Sequence, residues 1–204
     1  MNKFVYNAPT EWTPKEHFPD LSKEKLIAID LETCDTQLTT HGSGWATGNG
    51  YVTGIAVATA DWEGYYPIAH NGGNLDKTKV IRWFKTVAKL DCDKVFHNAS
   101  YDLGWLRSLG ITVNGKIHDT MISSALLDEN RYSYTLNSLA KDKLGRTKNE
   151  DLLIAAAKEF GVDPKKEMYK LPSMHVGEYA EYDARLTYDL YLLNKEQIDK
   201  QELQ

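Results

Sequence analysis

KLIAIDLET, residues 25–33, opens as an apolar run and closes on two carboxylates, Asp30 and Glu32. Four of the six residues from Leu26 to Leu31 are Leu or Ile, a composition that suits a strand buried on both faces. Strand side chains alternate with period two, so Asp30 and Glu32 project from the same face. Unpaired carboxylates in a core are costly, so buried acids are normally paired or bound to a cation. A divalent cation at the carboxyl end of the strand accounts for both acids. A strand end turning into solvent accounts for them too, and this stretch alone leaves both readings open.

The chain has 204 residues, 42% hydrophobic and 26% charged, which fits one globular domain, or one domain with a small insertion. No apolar run approaches the ~18 residues of a membrane span, and the opening MNKFVYNAPTEW lacks the charged and apolar regions of a signal peptide. No membrane is expected, and the cytoplasm is the default location. Cys34 and Cys92 make no disulfide framework and lack metal-ligand spacing, so both read as small hydrophobes in a reducing compartment. The formal net charge of −5 argues against a stand-alone, high-affinity grip on duplex DNA. It does not argue against an acidic site that recruits cations to a phosphate, because bound metals invert the local charge.

Around the first strand the chain reads in order. Residues 1–24, polar and carrying Pro9, Pro14 and Pro19, form an extended lead-in lying on the domain. Residues 34–50, ending GSGWATGNG, read as a mobile loop; no Lys-Ser/Thr follows the glycines, so this is not a phosphate-cradling P-loop. YVTGIAVAT (51–59) and residues 63–69 continue as strands two and three of an antiparallel meander, joined by a turn at 60–62. Val80, Ile81, Phe84, Val87 and Ala88 recur at helical spacing and predict a helix over 75–89. A short strand follows at 94–97, then a helix at 98–109. After Ile117-His118-Asp119 the pattern is helical over 120–127, 135–144, 150–160 and from 176 to 197 or beyond, with a stop at Gly161-Val-Asp-Pro164. Strands first, then alternation, then helices indicate an α/β domain with a mixed central sheet flanked by helices.

Two more stretches place acids toward the interior. In His97-Asn-Ala-Ser-Tyr-Asp102, Asn98 and Asp102 are four apart at the start of a helix that abuts the sheet. Capping by Asn98 and a favourable dipole for Asp102 explain that pair just as simply. In Tyr179-Ala-Glu-Tyr-Asp183, Tyr179 and Asp183 share the helix face that carries the apolar residues, whereas Glu178 and Glu181 lie off it and read as solvated. Four carboxylates brought together without cations would repel and take up protons. Two divalent ions about 3.5–4 Å apart resolve the repulsion and form a device for phosphoryl chemistry. All-oxygen ligands select Mg²⁺ or Mn²⁺.

IAIDLET (27–33), HNASYD (97–102) and YAEYD (179–183) resemble, in order and spacing, the three exonuclease motifs of the DnaQ-like 3′–5′ exonucleases, which have the ribonuclease-H-like fold. Tyr179-x-x-x-Asp183 resembles the tyrosine branch. The histidine branch would place His where Glu178 stands, and His175 is out of register, an ordinary polar residue. HDTMISSALLDENRYSYTLNSLAKDKLG (118–145) is similar to the segment after the second motif in proofreading domains of bacterial and phage family A DNA polymerases. The resemblance implies a single exonuclease domain over 25–204, with an antiparallel meander plus parallel strands. It implies metal ligation by Asp30, Glu32, Asp102 and Asp183, with Asp30 shared by both ions and Asp102 acting mainly through water. Tyr179 would orient the attacking water. Asn98 and the backbone around Leu31 and Thr33 would hold the terminal nucleotide.

The implied activity is release of nucleoside 5′-monophosphates from single-stranded DNA 3′ ends, in the cytosol of a bacterium or phage-infected host. The implied partner is a polymerase domain in the same or a partner chain. An exoribonuclease of the same fold and a non-catalytic domain bracing a polymerase are the alternatives. Tyr101, Trp105, Tyr132 and Tyr134 could stack bases, with core packing the simpler role for Tyr101 and Trp105. Residues 141–170 hold eight Lys or Arg against six Asp or Glu, and read as solvated helix faces. The polar, helical end NKEQIDKQELQ reads as a cut before a further domain.

Overall fold

Ile27, Ala28 and Ile29 have no exposed surface, and only a central strand with both faces covered can hide such a run. In the computed structural model, which describes residues 10–201, this strand is β1 (Leu26–Cys34). It leads to two single-turn helices, α1 (Leu38–His41) and α2 (Gly44–Thr47), and then to β2 (Tyr51–Ala58) and β3 (Glu63–Pro67). The chain continues as α3 (Lys77–Lys89), β4 (Asp93–Phe96), α4 (Ala99–Ser108), β5 (Ile117–Asp119), α5 (Thr120–Leu127), α6 (Leu136–Leu139), α7 (Asp151–Phe160) and α8 (Gly177–Lys200). The strand order is β3-β2-β1-β4-β5. β1, β2 and β3 pair antiparallel, whereas β4 and β5 join β1 in parallel. This is the expected mixed sheet, meander plus parallel strands.

Period-two alternation divides β1 between two cores. Ile27, Ile29 and Leu31 pack with Val80, Phe84, Trp105 and Leu106, under α3 and α4. Leu26 and Ala28 face the other way, toward Ala180, Ala184 and Tyr188 of α8. Asp30 and Glu32 continue that second row.

Three expectations need correction. Residues 34–50 are not a mobile loop: Asp35 accepts hydrogen bonds from the Gly44 backbone N–H at 3.0 Å and the Tyr101 hydroxyl at 2.9 Å. The ring of Trp45 lies where a side chain at Gly104 would clash, so the absent Cβ lets α2 sit against α4. The helix expected over 135–144 divides into α6 and a π-type turn, Ala140–Leu144. Strand 94–97 is shifted by one residue.

The first nine residues of the expected lead-in and the last three of the chain lie outside the described residues. From Thr10 to Lys23 no helix or strand forms, and this segment lies along β3. Phe18 stacks on Tyr66 with centroids 5.4 Å apart, and the Tyr66 hydroxyl donates to the His17 carbonyl at 2.9 Å. Covering an edge strand in this way removes a free pairing edge.

One carboxylate ties the parallel half together. Asp119, the last residue of β5, accepts from the N–H groups of Asn98 (3.1 Å) and Ala99 (2.7 Å) at the head of α4. It also accepts from Met121 (2.9 Å) and Ile122 (3.4 Å), as the N-cap of α5. Two helix starts thus share one acceptor. A lost cap costs roughly 0.5–2 kcal/mol, so Asp119→Ala is expected to lose about twice that, read as a lowered melting temperature, with Asp119→Asn retaining part.

Candidate active site

Four alanines set the geometry. Ala28 and Ala56 on the sheet face Ala180 and Ala184 on α8, all without exposed surface, and such small side chains let a helix lie close to a sheet. A short aspartate on the helix can then reach the strand. Tyr179 and Asp183 are four residues apart on one face of α8. Oxygen atoms of Asp30, Glu32 and Asp183 all lie within 4.8 Å of one another. Opposite Glu32 stands Gly54, where a Cβ would fall 2.0 Å from the Tyr65 hydroxyl, so the absent side chain makes room for that ring behind the acids.

Asp102, in the first turn of α4, is 4% exposed and is not part of this three-residue cluster. Its charge is nonetheless felt there: it is among the groups that raise the Asp30 carboxyl. Asn98 begins α4 in the left-handed region, φ 67° and ψ 57°, a conformation Asn tolerates better than most residues. Its side chain makes no cap bond; Asp119 supplies the acceptor instead. The alternative reading of Asn98 as a side-chain cap is therefore corrected.

Burial and mutual repulsion dominate the electrostatics. Desolvation, then Glu32, Asp183 and Asp102, hold the Asp30 carboxyl well above the ordinary carboxylate range. Desolvation and Asp183 raise Glu32 to about 7. Asp102 is also raised well above its usual range, by burial and then by Glu32. Asp183 is raised by burial, against a downward pull from Lys148 and the Tyr179 hydroxyl. The Tyr179 hydroxyl itself is raised by burial and by Asp183.

Lys148 was not legible as part of the site. Its ammonium forms an ion pair with Asp183, with side chains 6% and 9% exposed. It lies 4.5 Å from the centre of the Tyr179 ring and donates to the Tyr179 hydroxyl at 3.4 Å. A solvated helix face therefore does not describe this lysine; it sits in a loop just before α7 and enters the acidic cluster. A basic residue between the second and third motifs was the only signal, and it was one of eleven. Glu181 is also corrected: rather than solvated, it accepts from the Tyr65 N–H at 3.1 Å and pairs with Lys15 at 3.3 Å. His175, read as an ordinary polar residue, is buried, 3% exposed.

At the end of β1 and the head of α4 is a cavity of about 540 Å³ whose walls include Thr33, Asp35, Leu38, Asn98, Tyr101 and Lys166. Thr33 and Asn98 are thus brought to one hollow. Leu31 is not: its side chain belongs to the core under α4, leaving only its backbone near the site. The Tyr101 hydroxyl lies 3.0 Å from the Thr33 hydroxyl, so Tyr101 serves the cavity wall as well as the core. Trp105 is buried, as expected, and Tyr132 is fully exposed.

Three acidic side chains at this spacing offer an all-oxygen donor set to a hard cation, and a lysine ammonium already occupies a cation's position beside one of them. The residues fit a divalent metal. No helix among the described residues is long and apolar enough to cross a membrane.

A family model described as 3′–5′ exonuclease matches residues 7–197. The chain is 39% identical over 197 residues to a DNA-directed DNA polymerase of Pseudomonas phage M6, covering 91% of this chain and 30% of that protein. It is 29% identical over 184 residues to DNA polymerase I of Pseudomonas aeruginosa, covering 84% of this chain and 18% of the relative. The chain thus spans less than a third of the length of these relatives. Among solved structures, Brucella melitensis NrnC with bound Mg²⁺ superposes with a TM-score of 0.61 at 17% identity, covering 93% of this chain and 81% of that one.

The raised Glu32 carboxyl has a thermodynamic consequence. A folded-state pKa near 7 against an ordinary 4.5 stabilises the fold below pH 4.5, and this contribution is lost as pH rises through 7. Buried His70 and His97, each lowered to about 4 by desolvation, push stability the other way but are common to any Glu32 variant. In metal-free buffer, Glu32→Gln is therefore expected to gain melting temperature relative to wild type between pH 5.5 and pH 8, by several degrees. Mn²⁺ at pH 8 should close the gap from the wild-type side.

Proposed function

This chain belongs to the 3′–5′ exonuclease family found in family A DNA polymerases, and we propose that it removes nucleotides from single-stranded DNA 3′ ends with two divalent cations, Mg²⁺ or Mn²⁺. It is an α/β exonuclease domain of the ribonuclease-H-like kind, and metal dependence is general for that fold. The observation that carries the finer reading is the convergence of Asp30, Glu32 and Asp183 within 4.8 Å, with Tyr179 one turn before Asp183.

In this reading Asp30, Glu32 and Asp183 hold one cation, while Asp30 also serves the second and Asp102 acts through water. The cations, when bound, supply an activated water and neutralise charge on the phosphate and the departing 3′ oxygen. Tyr179, whose hydroxyl is held above its usual range by burial and by Asp183, keeps its proton and orients the water by hydrogen bonding rather than acting as a base. In this reading Thr33 and Asn98, which line the cavity, and the backbone at Leu31 hold the terminal nucleotide. DNA rather than RNA is supported by the relatives, which are DNA polymerases. The same relatives, being about three times longer or more, support a polymerase domain as the partner and proofreading as the role.

A 5′-labelled single-stranded DNA oligomer with Mg²⁺ or Mn²⁺ is expected to shorten stepwise to mononucleotides, and EDTA should stop it. Asp30→Ala and Asp183→Ala are each expected to lower the rate by on the order of a thousandfold or more, with the fold retained by melting curve. Tyr179→Phe should cost less. An oligomer left intact by the wild type would support the bracing role, and a preference for RNA the exoribonuclease.

A further inference from the structure

Lys148 is not among the residues that the reading above employs, yet it is the most deeply placed cation near the acids. Three contacts fix it: the ion pair to Asp183, the 3.4 Å hydrogen bond to the Tyr179 hydroxyl, and the 4.5 Å approach to the Tyr179 ring. Asp183 belongs to the trio that would hold a cation, so its carboxylate is contested. A divalent ion and an ammonium repel each other at contact distance, most strongly where water is scarce. Room for the lysine to yield exists beside it, in a hollow of about 300 Å³ lined by Thr147, Lys148, Asn149, Glu178, Tyr179 and Tyr182.

We propose that Lys148 is a positioning residue with two successive partners: without metal its ammonium holds Asp183 and screens the acidic trio, and when cations enter it gives up Asp183 and keeps the Tyr179 hydroxyl. The first contact closes the site in the metal-free protein. The second fixes the hydroxyl that orients the water, and this half rests on the exonuclease reading. A lysine with only a structural role would behave differently, because its loss would weaken metal binding and turnover together.

The test uses the intact chain, with Mn²⁺ as the probe for calorimetric titration and melting, and single-stranded DNA for steady-state rates at saturating Mn²⁺. Lys148→Met is expected to bind Mn²⁺ roughly tenfold more tightly, since a competing charge is gone. Its melting temperature in EDTA should fall, while the rise on adding Mn²⁺ should grow. Its kcat should fall with KM for DNA unchanged, and Lys148→Arg, which keeps the charge, should return Mn²⁺ affinity toward wild type. Lys148→Gln gives the same readout if the methionine variant does not fold without metal. Unchanged or weaker Mn²⁺ affinity in the neutral variants overturns the proposal, as does an unchanged kcat. If the wild type binds Mn²⁺ but leaves DNA intact, the exonuclease reading fails, and the Mn²⁺ affinities still decide the contest at Asp183.

Discussion

Carboxylates buried at close range must be neutralised, and most of the architecture can be understood as arranging that neutralisation. Asp30, Glu32, Asp102 and Asp183 come from three elements, and each is held above its ordinary range by desolvation first; neighbouring acids add to this for Asp30, Glu32 and Asp102, whereas Lys148 works against it at Asp183. A fold that simply maximised its stability would place apolar groups there. Alanine packing between α8 and the sheet instead brings the acids together, and Gly54 leaves a full aromatic ring behind them. Stability given up locally for charge density is the mark of a working site.

The parallel half of the sheet serves the same end. α4 carries Asp102, and its start is held by Asp119 rather than by its own first residue, which leaves the Asn98 side chain facing the cavity. The same aspartate begins α5, so the position of the second motif is coupled to that of the next helix. On the other side, Asp35 ties the end of β1 to Tyr101 and to the first residue of α2. The cavity wall is therefore braced from two directions, by Asp119 behind it and by Asp35 within it.

Signals carried by local periodicity were legible, and those carried by tertiary approach were not. The alternation in β1 told which face Asp30 and Glu32 share, and the four-residue spacing in α8 told that Tyr179 and Asp183 share another. Neither pattern says that the two faces meet; family resemblance supplied that. Lys148 lies in a loop with no period, so nothing local distinguished it from the lysines around it. Glu181 was misread because helical spacing places it off the apolar face, whereas the approach of β3 and Lys15 provides polar partners there. Trp45 has the same lesson: a glycine-rich stretch reads as mobile unless one knows that Gly104 lies beneath it.

Charge balance also reconciles an acidic chain with the polyanionic substrate proposed for it. Four ionised carboxylates are matched by two divalent cations but not by one ammonium, so the metal-free protein must make up the difference with protons, as the raised Glu32 carboxyl indicates. A phosphodiester approaching that metal-free site meets buried acids and an ammonium already engaged with Asp183, with no free positive charge to receive it. Under the proposed two-cation reading the trio and Asp102 are neutralised, and Lys148, released from Asp183 as proposed, adds a positive charge at the side where Tyr179 stands. Cation entry should then precede productive DNA binding. The overall charge of −5 is no obstacle, because the attraction for the phosphate resides in the loaded site and not in the surface.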